Sequence, residues 1–134
     1  MRIVLDTNVL ISALISRGRS YSLVDSLLSS SHTLLLSRPI IEEFLRISSE
    51  TKIKRYVVDD DMARFLRTIL CKSSLVEIVS SFEVLESPDD LILQTAYDGR
   101  ADVIVTGDGH LLKLHSFRGI RILSILEAVS IFIK

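Results

Sequence analysis

The 134-residue chain has little of what marks secreted, stapled or membrane-spanning proteins. Cys71 is its one cysteine, so no intramolecular disulfide can form. It has no tryptophan, two prolines and five glycines, and aromatics make up 6% of it. Apart from the serine cluster at 29–31, no repeat or low-complexity tract is present. No apolar run approaches the ~18 residues that a membrane span needs. The apolar run after Arg2 stops at Asp6, too soon for a signal peptide. Net charge is close to balance at −1, which neither announces nor excludes a nucleic-acid partner, because a local basic patch matters more than the total. These absences point to a cytoplasmic, non-membrane protein. The length suits a single domain over 1–134 that buries a core without staples.

Apolar residues are abundant. Hydrophobic residues make up 48% of the chain and the mean hydropathy is +0.40. That surplus implies apolar surface covered by a partner. Cys71, within FLRTILC, reads as a small core residue.

Short apolar stretches alternate with helix signals. Ile3–Leu5 reads as a buried strand, residues 20–30 as a helix and Thr33–Leu36 as a second strand. Ser37-Arg38-Pro39 starts a helix running to about Ile47. Residues 51–58 hold basic residues and an apolar pair without a clear assignment. Asp59-Asp60-Asp61 opens a helix reaching Cys71, with its acids where the helix dipole favours them. Leu75–Val79 reads as a strand, and Ser87-Pro88-Asp89-Asp90 starts a helix that Gly99 stops. Val103–Thr106 is a strand, Asp108–Leu114 a short helix, Ile120–Leu123 a strand, and a last helix ends the chain. This alternation predicts right-handed crossovers and a mainly parallel sheet with helices on both faces. Ligands of such sheets bind beyond the carboxyl ends of the strands.

Acids gather in that direction. Asp6 ends the first strand, and Asp108 follows VIVT in the stretch TGDG. Glu42-Glu43 and Asp89-Asp90 lie at helix starts that face the same edge. On a wheel of about 100° per residue, Glu43 lies roughly 110° from the centre of its helix's apolar face and Glu42 roughly 150° away. Glu43 therefore flanks the buried face, and Glu42 points to solvent. The wheel does not separate Asp89 from Asp90, because both fall in a first turn. Asp59, Asp60, Asp61, Glu77, Glu83, Glu86, Asp98 and Glu127 read as solvated surface charge, and Asp102 as a turn residue.

VLDTNVLISAL at 4–14, LLLSRPIIEEFLRI at 34–47, SPDDLILQTAYDGRADVIVTGDGHLLKL at 87–114 and GIRIL at 119–123 resemble the PIN-domain family of metal-dependent ribonucleases, and most of all the toxin components of bacterial and archaeal toxin–antitoxin pairs (VapC-like). The resemblance implies a three-layer α/β/α sandwich. It implies that Asp6, Glu43, Asp90 and Asp108 are the catalytic and metal-ligating acids. Asp90 is the member of its pair that matches the family spacing, sixteen residues before Thr106. Asn8, Thr106 and Asp89 are then supporting groups beside the site.

Converging carboxylates repel, and a hard cation relieves the repulsion. Oxygen ligands favour Mg²⁺ or Mn²⁺, and His32, His110 and His115 are scattered in sequence, so nothing argues for zinc. The expected function is metal-assisted RNA hydrolysis. Arg17 and Arg19, in the loop after the helix that begins at the site, and Arg38 are candidates for RNA phosphates, and Lys52, Lys54 and Arg55 form the densest basic run. The resemblance further implies an antitoxin segment in the acidic groove and a homodimer through apolar helix faces. The alternative is a non-catalytic PIN-like interaction module; the filled acid positions argue against it. A phospho-acceptor domain fits less well, because no second acid follows Asp6 at two residues.

Overall fold

The computed structural model describes residues 1–57 and 59–133. The elements run β1 (Arg2–Leu5), α1 (Thr7–Ile15), α2 (Arg19–Leu28), β2 (Thr33–Ser37), α3 (Arg38–Ser48), α4 (Thr51–Lys54) and α5 (Asp59–Lys72). Then come β3 (Ser73–Val76), α6 (Asp90–Asp98), β4 (Val103–Val105), α7 (Gly109–Leu112), β5 (Ser116–Phe117), β6 (Ile120–Leu123) and α8 (Ile125–Phe132). The six strands form one sheet in the order β3-β2-β1-β4-β6-β5. Every pairing is parallel except that of β5 with β6. This is the expected α/β architecture, a mostly parallel sheet flanked by helices.

Position in the sheet explains the composition of the strands. β1 is central, between β2 and β4, and Ile3, Val4 and Leu5 are at most 3% exposed. A strand covered on both faces has no polar face to present, which is why it reads as a continuous apolar run. The chain moves outward from β1 to β2 and β3, then returns to the other side of β1 as β4. The order therefore reverses between β1 and β4, the place where such sheets open a crevice at their carboxyl edge. Leu5 is in register with Val105, so Asp6 and Thr106 leave the sheet side by side. The Asp6 amide donates to the Val105 carbonyl at 2.9 Å, and the Thr106 amide to the Leu123 carbonyl at 3.0 Å.

α2 packs against α1 and α8, while α6 lies against β1, β2 and β4. α6 approaches β2 closely. A Cβ added at Gly99 would stand 2.7 Å from Val76 Cγ2 and 2.9 Å from Leu35 Cδ1. Gly99 thus does more than stop the helix: its missing side chain lets α6 seat on the sheet. A hydroxyl pair joins the same elements. Thr95 Oγ1 donates to the Leu91 carbonyl at 2.7 Å, so it accepts from Ser37 Oγ at 2.8 Å.

Several expectations need correction. Cys71 is exposed rather than in the core. It lies two residues past the buried Ile69, about 200° round α5, and so on the outer face. The third strand is Ser73–Val76 rather than Leu75–Val79, and Leu75 and Val79 are 70% and 78% exposed. β3 pairs only with β2, so one edge is open, and the chain leaves the sheet after Val76. Asp98 is not a free surface charge: it accepts the Val79 and Ser80 amides at 2.9 and 3.0 Å and the Ser80 hydroxyl at 2.8 Å. The short edge strand β5 had no sequence signal of its own. Within the unassigned 51–58 stretch, α4 forms over Thr51–Lys54, and Val58 lies outside the described residues. The side chain of Asp59, read as surface charge, is also outside them, as is Lys134. Among the described residues no helix is long and apolar enough to cross a membrane.

The Gly99 contact is testable. Gly99→Ala should lower stability by about 1–3 kcal/mol in a urea or thermal melt, because a methyl group must displace Val76 or Leu35. An unchanged melt would show that these side chains yield freely.

Candidate metal centre

The first acid is mounted by β1 and shaped by its neighbour strand. Asp6 is the last residue before α1 and only 5% exposed. Thr106, fully buried at the end of β4, donates its hydroxyl to Asp6 Oδ2 at 2.6 Å. The same hydroxyl oxygen accepts the Asp108 amide at 2.9 Å. One threonine thus links the two strand-end acids. Burial pushes the Asp6 carboxyl up; the Thr106 hydroxyl and the Thr7 and Asn8 amides pull it back; the charge of Asp108 adds to the rise. The net effect is an acid held above its usual range.

Asp108 caps α7, accepting the His110 amide at 2.7 Å. His110 Nδ1 stands 3.7 Å from the Asp108 carboxylate. Asp89, just before α6, reaches the same place. Asp89, Asp108 and His110 each offer one ligand atom, all within 4.8 Å of one another. Desolvation, then the charges of Asp108 and Asp6, push the Asp89 carboxyl up from 3.8 to about 6. The Asp108 carboxyl, as a hydrogen-bond partner, adds to the rise, and His110 opposes it. Asp6 lies near enough for its charge to act on Asp89, but its oxygens are not among the ligand atoms that lie within 4.8 Å of one another.

Glu43 approaches from α3 and is half-buried, while Glu42 is exposed and pairs with Arg38 at 2.8 Å. That is the division the helix wheel gave. Thr7 Oγ1 faces Glu43 Oε2 at 3.5 Å, linking the starts of α1 and α3. Asn8, the last member of the D-T-N stretch, is exposed on the first turn of α1.

The Asp89–Asp90 pair is arranged opposite to the spacing match. Asp90 is 6% exposed and turns back from the crevice. Its Oδ1 accepts the Val84 and Leu85 amides at 3.2 and 2.9 Å, and its Oδ2 the Glu86 amide at 3.0 Å. Asp89 is the carboxylate that meets Asp108. Adjacent residues near a helix start point about 100° apart, so only one of them can face the crevice. The sequence holds no signal for that choice, which rests on the Val84, Leu85 and Glu86 amides. His110, scattered from the other histidines in sequence, joins the site because it sits two residues after Asp108. Arg17 and Arg19 lie past the far end of α1, roughly 14 Å of helix rise from Asp6. Arg38 is at the crevice edge, at the start of α3.

Two carboxylates with one imidazole beside them make a donor set that could hold a divalent cation. The fold and site are those of an α/β protein with a mostly parallel sheet and acids gathered at its switch point. The family model for the PIN domain matches residues 2–110, and the chain belongs to the PIN-domain family. It is 29% identical over 119 residues to an uncharacterised protein of Methanocaldococcus jannaschii, across 85% of this chain and 75% of that one. Its fold is similar to a chain in the crystal structure of VapBC2 from Rickettsia felis bound to a promoter DNA fragment. The TM-score is 0.63 at 15% identity, over 92% of this chain and 98% of that one.

The raised Asp89 carboxyl sets a pH test in metal-free buffer. Ionising Asp89 is harder in the fold than in the unfolded chain, so its contribution is full below about pH 4 and lost as pH rises through about 6. Asp89→Asn should therefore be more stable than wild type at pH 7 in EDTA, by roughly 1 kcal/mol after solvent screening, or about 3–5 °C in Tm. The gap should close below about pH 4. A gap of the same size at every pH would refute the crowding.

Proposed function

We propose that this protein is a Mg²⁺- or Mn²⁺-dependent endoribonuclease, hydrolysing RNA phosphodiester bonds as the toxin component of a toxin–antitoxin pair in the cytoplasm. The observation that carries the reading is the meeting of Asp89 and Asp108 beside His110 at the switch point of the sheet, with Asp6 near enough for its charge to act on Asp89. Membership of the PIN-domain family supports it. Asp6, Asp89 and Asp108 would hold the cation, with Glu43 completing the acidic wall and His110 beside it. The cation, when bound, lowers the pKa of a water and offsets the charge developing on phosphate. Asp90 stands outside the ligand set, because its oxygens already accept three amides.

The remaining residues act by holding the acids in place. Thr106 fixes the orientation of Asp6 and ties Asp108 to the same strand end. Thr7 steadies Glu43, and Asn8 lies on the exposed lip where substrate enters. Arg38 is exposed at this edge and would contact RNA phosphate, exchanging its bond with Glu42. Arg17 and Arg19 are too far along α1 to serve the scissile phosphate.

An antitoxin is the proposed protein partner. A groove of about 430 Å³ between the end of α1, α2 and α5 supports it. Leu14, Val24, Leu28 and Phe65 line its floor, and Arg17, Asp25, Asp61 and Arg64 its rim. That combination suits an amphipathic segment better than a polyanion. A homodimer through apolar helix faces is proposed as well, since Leu126 on α8 is 60% exposed.

Purified protein should cleave RNA with Mg²⁺ or Mn²⁺, spare duplex DNA, and lose activity in EDTA. Asp6→Asn should lower the rate at least ~10³-fold while its Tm stays equal or rises, since Asn keeps an acceptor for Thr106 and removes a repelling charge. Undiminished cleavage by Asp6→Asn would sink the assignment, and a Tm insensitive to Mn²⁺ would favour a non-catalytic module.

A further inference from the structure

Residues 79–86, between β3 and α6, lie outside any helix or strand, and their backbone groups need partners. One helix supplies them. Asp98 accepts the Val79 and Ser80 amides, Gln94 Nε2 donates to the Phe82 carbonyl at 2.9 Å, and Asp90 accepts the Val84, Leu85 and Glu86 amides. Asp90, Gln94 and Asp98 are four residues apart, so they form one row along α6. Counting the Ser80 hydroxyl, the row makes seven hydrogen bonds to the segment, between 2.8 and 3.2 Å. The segment is strapped antiparallel along the helix, from the far end back to the crevice.

At the crevice the strap closes on the helix start. Glu86 adopts φ +51°, a left-handed turn that aims its amide at Asp90 Oδ2. The Ser87 carbonyl accepts the Asp90 amide at 3.0 Å, and Ser87 Oγ accepts the Asp89 amide at 3.2 Å. Asp89 is therefore bounded on both sides, by Ser87 and by the Asp90 bonds.

We propose that Asp90 is a positioning residue, whose carboxylate, by gathering the 84–86 amides, holds Asp89 at the angle at which it meets Asp6 and Asp108. The proposal rests on the metal-centre reading and assigns Asp90 a part in it other than ligation. Asn in place of Asp90 keeps an oxygen for Val84 and Leu85 but sets an NH₂ group against the Glu86 amide. The turn then loosens and Asp89 loses its fixed direction. Losing such support costs a metal site about 10–100-fold in affinity. Asp98 lies two turns away at the other end of α6, and the same loss there frees only residues 79–80.

The test compares Mn²⁺ affinity, read by the spin-resonance signal of free Mn²⁺, with amide hydrogen exchange of the loop, in full-length wild type, Asp89→Asn, Asp90→Asn and Asp98→Asn. Asp90→Asn should bind Mn²⁺ about 10–100-fold more weakly, with faster exchange at 84–86. Asp98→Asn should exchange faster at 79–80 and keep wild-type affinity. Unchanged affinity in Asp90→Asn overturns the proposal. So does Asp90→Asn losing Mn²⁺ as completely as Asp89→Asn while 84–86 stay protected, for Asp90 would then be a ligand. If Asp90→Asn does not fold, Asp90→Ser keeps one acceptor oxygen that cannot span the Val84, Leu85 and Glu86 amides: weakened Mn²⁺ binding with faster exchange at 84–86 supports the proposal, and wild-type binding overturns it. A wild-type protein that binds no Mn²⁺ overturns the metal-centre reading, and the positioning role with it, whatever the exchange at 84–86 shows.

Discussion

Like charges forced together at one edge of a sheet are the constraint around which this molecule is arranged. Asp6, Asp89 and Asp108 approach from two strand ends and a helix start, and burial first, then the neighbouring charges, hold Asp6 and Asp89 above the usual carboxylate range. Neutral hydrogen bonds manage the repulsion. The Thr106 hydroxyl serves Asp6 with its proton and the Asp108 amide with its oxygen. No lysine or arginine makes a salt bridge with these acids among the described residues. A cation bound among them would neutralise that charge and return the stability the repulsion costs.

The architecture was legible because burial writes itself into composition. Strands covered on both faces, such as Ile3–Leu5 and Val103–Val105, cannot be confused with surface segments. Helix starts carry local chemistry, as at Ser37-Arg38-Pro39. Edges are harder. β3 and β5 each pair with a single neighbour, so their residues obey no strict alternation, and Leu75 stands in solvent within a strand. Cys71 shows the same limit on a helix: an apolar neighbourhood in sequence does not say which side of the turn a residue occupies.

The site was legible in its elements and less so in its aim. Asp6, Glu43 and Asp108 lie where strand order and the helix wheel direct them. The Asp89–Asp90 choice depended on three backbone amides of an irregular loop, which leave no mark on residue type. A carboxylate serving amides and a carboxylate serving a crevice look the same in sequence. Asp98 was misread for the same reason, since its partners are the backbone of Val79 and Ser80 and the hydroxyl of Ser80.

The hydroxyl pair of Ser37 and Thr95 has a further consequence. Set in an otherwise apolar contact between β2 and α6, it is directional where its surroundings are not, and it keys the rotation of α6 against the sheet like a pin in a shaft. Thr95 lies six residues after Asp89, so that count sets the bearing of the acid. One residue inserted between Asp90 and Thr95 would turn Asp90 to the bearing Asp89 now holds, about 100° round the helix. The identity of the acid that faces the crevice is thus fixed by a distance counted in residues from a threonine in the core.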